Sequence, residues 1–212
     1  MNLVSNVTGM LPAETVVQCP IAKPSELPEI FVPVEDGGIL KSTGVLDVFF
    51  GLREPDEASF AGGEFIIVKV HNSKVWELLR QKGHVVSKSG KYGCLYEPFH
   101  IMGVESPITI LLGDLLGIGT RPECRQHSVL SGIAVEDLKA GMTFEVYGHH
   151  HDVTGLKAGF LRREPGMLIA PFYLLNGRTL RRDVKKGSVI TLDDVDLSGS
   201  IEYDLYMKGL AL

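Results

Sequence analysis

Hydrophobic and polar positions alternate in two different ways along this chain, and the change falls near residue 122. Before it, apolar residues come in runs. Glu64–His71 (EFIIVKVH) predicts a strand buried on both faces at the centre of a sheet. Ser73–Gln81 places Val75, Trp76, Leu78 and Leu79 at helical spacing, with Asn72 or Ser73 as cap and Gly83 past the end. That pattern predicts a helix lying on the sheet. His84–Ser87 and Tyr92–Tyr96 flank Lys88-Ser89-Gly90-Lys91, a hairpin signal. Ser106-Pro107 predicts the start of a buried helix over Ile108–Leu116, which Gly117 ends. Upstream, five prolines between Pro12 and Pro33 predict an extended arm over residues 1–35, with one helical turn at Ser25-Glu26-Leu27. Asp36-Gly37-Gly38 reads as a tight turn, and Gly44 as another close backbone approach.

After the polar break Arg121–His127, short β-type segments and glycines replace helical periodicity. One repeat stands out: Asp137-Leu138-Lys139-Ala140-Gly141 returns as Asp183-Val184-Lys185-Lys186-Gly187. A β-unit used twice in a small pseudo-symmetric barrel produces that pattern, and Thr191–Val195 adds a further capped turn. The fold expected is α+β, with a mixed sheet-and-helix domain over residues 1–122 and a small all-β domain over 123–212.

Composition narrows the function classes. A hydrophobic fraction of 44% with 22% charged residues is that of a globular chain. The net charge of −5 and scattered basic residues argue against nucleic acid, leaving room for a small-molecule ligand in a local basic pocket. Three cysteines without a C-x-x-C pair read as reduced thiols, neither a disulfide framework nor a zinc site. The apolar run Ile108–Leu116 is too short for a bilayer and contains Asp114, and the N-terminus lacks a signal-peptide pattern. A cytoplasmic protein without membrane contact is expected.

Candidate chemistry gathers in the first domain. On the loop after Tyr96, His100 could act as general acid or base, Glu105 could orient it, and Tyr96 could donate a hydrogen bond to substrate. The competing reading makes His100 a backbone partner and Glu105 a complement to the positive end of the helix. Asp36, with two glycines and Lys41, could cradle a carboxylate or phosphate, or form nothing more than a turn. Lys69 either points into a pocket or emerges at a strand end. His149, His150 and His151 are the weak candidates for a metal. They lack the helical spacing that converges two ligands, so surface histidines are the favoured reading and no metal is expected. Arg162, Arg163, Arg178, Arg181 and Arg182 read as solvated charges or an anion-facing side.

The segments AVEDLKAGMTF and LRRDVKKGSVITLDDVDL resemble SAF domains, small β-clip folds. EDGGILKSTGVLDV, KGHVVSKSGKYGCLYEPFHIMGVESPITIL and LLGIGT look like the region preceding that domain in one bacterial family. It comprises the SAF-bearing, homoserine-dehydrogenase-like NAD(P)-dependent oxidoreductases, among them a deoxyxylulose-phosphate-reductoisomerase-like enzyme. Members carry an N-terminal Rossmann domain, whereas here Gly117-Ile118-Gly119 runs into Thr120-Arg121-Pro122 without the G-x-G-x-x-G pattern. The resemblance therefore implies a substrate-binding and dimerisation half, a homo-oligomer acting on a small polyol, sugar phosphate or hydroxy acid. NAD(P) would enter only with a separate Rossmann-domain chain, and no cofactor-binding residue is assigned here. The alternative is a stand-alone SAF-type module that binds a small sugar acid. Whether the chain catalyses anything by itself stays open between the two.

Overall fold

The computed structural model describes residues 1–52, 63–98, 100–119, 124–148 and 152–211, which form an α+β fold. The chain divides into two compact units: Gln18–Gly44 with Val48–Pro122, and Met1–Val17 with Val45–Asp47 and Glu123–Leu212.

The unit holding Gln18–Gly44 is built on a three-stranded antiparallel sheet in the order Glu64–Lys69, Tyr92–Glu97, Val85–Val86. The predicted hairpin is present. Val85 and Val86 pair with Cys94 and Gly93, and Gly90 takes a positive φ of 68° in the turn between them. Glu64–Lys69, however, is an edge strand among the described residues, and Ile66 on it is 59% exposed. An apolar run reports composition, whereas coverage on both sides depends on pairings between distant segments, and here the central position goes to Tyr92–Glu97.

The helix Ser73–Gln81 forms as predicted, with Asn72 Oδ1 accepting the Lys74 N–H at 2.9 Å. Of its four apolar residues only Trp76 is buried, and Val75 and Leu78 remain exposed. A Cβ on Gly93 would stand 2.8 Å from the Trp76 ring, so the bare backbone there is what lets the indole lie against the strand. Val32, Trp76 and Tyr92 make this small core, flanked by Ile67, Val70, Leu79 and Val86.

Two further expectations fail in this unit. The helical turn expected at Ser25-Glu26-Leu27 is present, as a 3-10 turn at Pro24–Glu26 and a short helix at Leu27–Ile30, but the arm that carries it is in part folded inward and not extended. Pro24 and Pro28 occupy first-turn positions where a missing N–H costs nothing, and Leu27 and Phe31 are buried. The second failure concerns the helix expected from Ser106. It runs Met102–Leu116, with Pro107 inside it and Gly117 closing it at φ 62°. Glu105 starts it, Oε1 accepting the Ile101 N–H at 3.0 Å, and Pro107 falls early enough to forfeit little of the ladder. This helix buries none of its residues. Its 15 residues are apolar around most of the circumference, so hydrophobicity alone did not decide burial.

In the other unit, Ser128–Ala134 pairs antiparallel with Leu156–Arg162 over seven residues, and the sheet continues through Asp152–Val153 to Val146–Tyr147. The first residues of the chain, expected to be extended, form a helix Asn2–Thr8 instead. It docks on this sheet: Asn6 Oδ1 accepts the N–H groups of His127 (2.8 Å) and Ser128 (3.0 Å). A C-terminal helix, Ile201–Leu210, is capped by Ser200 and is the one long element that the scarcity of helical periodicity after residue 122 does not predict.

The repeat is a local two-fold axis. Leu138 and Val184 exchange both backbone hydrogen bonds, at 2.8 and 3.0 Å. Asp137 accepts from the Lys186 N–H and Lys185 Nζ, and Asp183 accepts from the Ala140 N–H and Lys139 Nζ. Positions 46 residues apart continue the correspondence. The Ala134 N–H donates to Ser188 O and the Leu180 N–H to Met142 O; Ile133 faces Val189 as Thr179 faces Thr143. Phe144 and Ile190, equivalent under the same operation, are both fully buried in the core of this unit. Gly141 and Gly187 turn each copy at φ 87° and 82°, where a side chain would be strained.

Candidate functional site

Among the described residues of the unit holding Gln18–Gly44, a polar cluster centres on Asp36. Val34–Asp36 is a 3-10 turn closed by Gly37 at φ 94°. A Cβ on Gly38 would fall 2.2 Å from the Val32 carbonyl, so a second glycine is required for the chain to fold back. The turn delivers the Asp36 carboxylate to the start of the central strand. Oδ1 accepts from Lys91 Nζ at 2.8 Å, Oδ2 accepts from the Tyr92 hydroxyl at 2.5 Å, and Lys69 Nζ lies 3.5 Å from Oδ2. Lys69 and Tyr92 are direct cross-strand partners, which puts the Lys69 ammonium 5.4 Å from the Tyr92 ring centroid.

The electrostatics follow from that geometry. The Lys91 hydrogen bond, then that of Tyr92, hold the Asp36 carboxyl down to about 2. Tyr92 moves the other way: donating to Asp36 and being buried both favour the neutral phenol. Lys69 is also raised, chiefly through its interaction with Tyr92, so its ammonium persists. The result is one carboxylate, two ammonium groups and one neutral phenol. Asp36 is 13% exposed, whereas Lys69 and Lys91 are 45% and 55% exposed, so the cationic ends face solvent.

Asp36 and Lys69 stand as separate candidates in the sequence, and the structure brings them together with Lys91 and Tyr92, which sequence reasoning misses. The signal for those two was the hairpin itself, since its register sets Tyr92 opposite Lys69 and Lys91 beside it. Lys41, grouped with Asp36 by proximity in sequence, is exposed four residues beyond the turn and is not among the groups gathered at the Asp36 carboxylate.

His100 and Glu105 also meet, with Nδ1 3.4 Å from a Glu105 oxygen, while Glu64 stands 3.7 Å from Nε2. Glu105 meanwhile caps the helix start, and all three side chains are well exposed. The carboxylates sit on opposite sides of the imidazole, so they cannot converge with it on one metal ion. Among the described residues no group of three or more metal-ligating side chains occurs. His149, His150 and His151 lie outside the described residues. The Tyr96 ring packs edge-on to Phe49 at 6.4 Å, inside an aromatic group with Phe65 and Phe31, and burial raises its phenol. Burial likewise pushes the Cys94 thiol up to about 11, which removes it as a nucleophile.

The five candidate arginines, all in the other unit, are committed to protein partners. Arg181 pairs with Asp196 and Arg182 with the buried Asp194; Arg178, Arg163 and Arg162 donate to backbone carbonyls. At Asp194 burial opposes ionisation, but the Thr191 hydrogen bonds and Arg182 outweigh it and its carboxyl is lowered. Gly117 and Gly119 follow a helix and not a strand, the reverse of the order in a dinucleotide cradle, so they do not fit the pyrophosphate of NAD(P).

Among curated proteins no match is found. The family described as "Oxidoreductase DRL, catalytic domain" matches residues 1–106, a span containing Asp36, Lys69, Lys91, Tyr92, His100 and Glu105. With half of its length so matched, the chain belongs to the oxidoreductase DRL catalytic-domain family.

Proposed function

We propose that this chain is the substrate-binding and dimerisation half of a SAF-bearing, homoserine-dehydrogenase-like oxidoreductase. It acts on a small polyol, sugar phosphate or hydroxy acid, with NAD(P) held by a Rossmann-domain chain. The observation that carries the reading is the Asp36 cluster. Within the family-matched span, one shielded carboxylate fixes two lysines and a neutral tyrosine, groups suited to holding hydroxyl and anionic substituents of a small substrate. His100 and Glu105, exposed and without a shielded wall, serve as helix-start contacts in this reading. The two-fold repeat supports a β-clip for the C-terminal segment.

Assembly as a homo-oligomer is part of the proposal. Met102, Ile108, Ile110, Leu111, Leu115 and Leu116 are each at least half exposed on one helix. Exposed apolar residues gathered on one element mark an interaction surface, and a second copy would cover them.

The test is reconstitution. NADPH titrated calorimetrically into the isolated chain is expected to give no binding heat. Mixed with a separately encoded Rossmann-domain chain, the protein should support NADPH oxidation that Asp36→Asn and Lys69→Met abolish. Tight NADPH binding by the isolated chain contradicts the division of labour.

A further inference from the structure

The Asp36 cluster is not electrically balanced, and that imbalance indicates what it takes. Its two ammonium groups, one carboxylate and one neutral phenol leave one positive charge uncompensated within the group, in a chain whose net charge is −5. The carboxylate is the shielded member and the ammonium groups are the solvent-facing ones. Asp36 Oδ1 accepts from Lys91, and Oδ2 accepts from Tyr92 with Lys69 3.5 Å away, so about three of the roughly four acceptor positions of the carboxylate are already engaged. Each lysine carries three N–H donors, more than its contact with Asp36 uses.

We propose that Lys69 and Lys91 together form an oxyanion subsite that binds the carboxylate or phosphate of the substrate, with Asp36 as the counter-charge that presets them. This rests on the reading of the cluster as the ligand site. Asp36 tethers two flexible side chains before the ligand arrives, which lowers the ordering cost of binding. Tyr92, 3% exposed and aligned under Lys69, fixes the carboxylate from the protein side. The phenol stays protonated and so adds no negative charge against the anion.

The sole tryptophan, Trp76, packs in the same small core as Tyr92 and supplies the readout. Inorganic phosphate, lactate and glycerol are titrated against its fluorescence at constant ionic strength. Saturable changes are expected with phosphate and lactate and none with glycerol. Lys69→Met and Lys91→Met should each weaken anion binding on the order of ten-fold, while Lys91→Arg retains it. Saturation by glycerol alone overturns the oxyanion subsite and leaves the ligand site standing. A response to none of the three overturns both, and anion binding unchanged in both methionine variants places the anion elsewhere and overturns the subsite.

Discussion

Asp36 carries a consequence that can be read from acid titration. Its carboxyl is held at about 2 against an ordinary 3.8, so its ionised form is favoured in the folded state. The sign is that of a depressed acid: the stabilisation is complete above the ordinary value and disappears as pH falls from about 4 to about 2. Asp137, Asp183, Asp194 and Asp196 are lowered too and share the acid limb. Urea melts of Asp36→Asn are therefore expected to show a shallower loss between those pH values than the wild-type protein, with the limb retained in part. A second residue-scale expectation concerns the thiols. Cys19 and Cys124 are exposed, whereas Cys94 is buried with its thiol near 11, so alkylation at pH 8 should reach two sites in the folded protein and the third only in denaturant. Of the cluster itself, Asp36 was legible from its glycine turn and Lys69 from its strand. Their meeting was not, because a contact across 33 residues is set by how the turn docks on the sheet.

Elements were legible where local chemistry decided them. Asn72, Gly83, Gly90 and Gly117 punctuate the first unit where capping and turn rules place them. What failed was coverage. Glu64–Lys69 is apolar by composition yet only partly buried, and Met102–Leu116 is apolar yet exposed, since burial depends on neighbours that no local window contains. Two substitutions probe this scale. Gly93→Ala would push a methyl group against the Trp76 ring and should destabilise by about 1–3 kcal/mol in urea melts, an overpacking cost. Leu111→Glu, on the exposed helix, should leave the melt nearly unchanged while lowering the mass measured by light scattering if a second copy covers that face. An unchanged mass removes this helix from the assembly.

At the scale of the whole molecule, the 46-residue repeat was the most informative signal in the second half. It was read from five matched positions, and the structure extends it to a reciprocal set of backbone and side-chain bonds. Equivalence has an energetic corollary: Asp137→Ala and Asp183→Ala should cost similar amounts, measured by chemical denaturation. Phe144→Ala, in the fully buried core of this unit, should cost about 3–5 kcal/mol. The family match covers the other half, where the candidate chemistry lies. Placing the ligand at Asp36, and not at the His100 loop or on the repeat, is the claim on which the functional account turns. NMR of the intact chain during a titration with small hydroxy acids and phosphate tests it most directly. The account predicts that the side-chain signals of Lys69, Lys91 and Tyr92 shift first and saturate together, with His100 unmoved. Shifts that begin at His100 and Glu105, or in residues 124–211, with the Asp36 cluster silent, would contradict it.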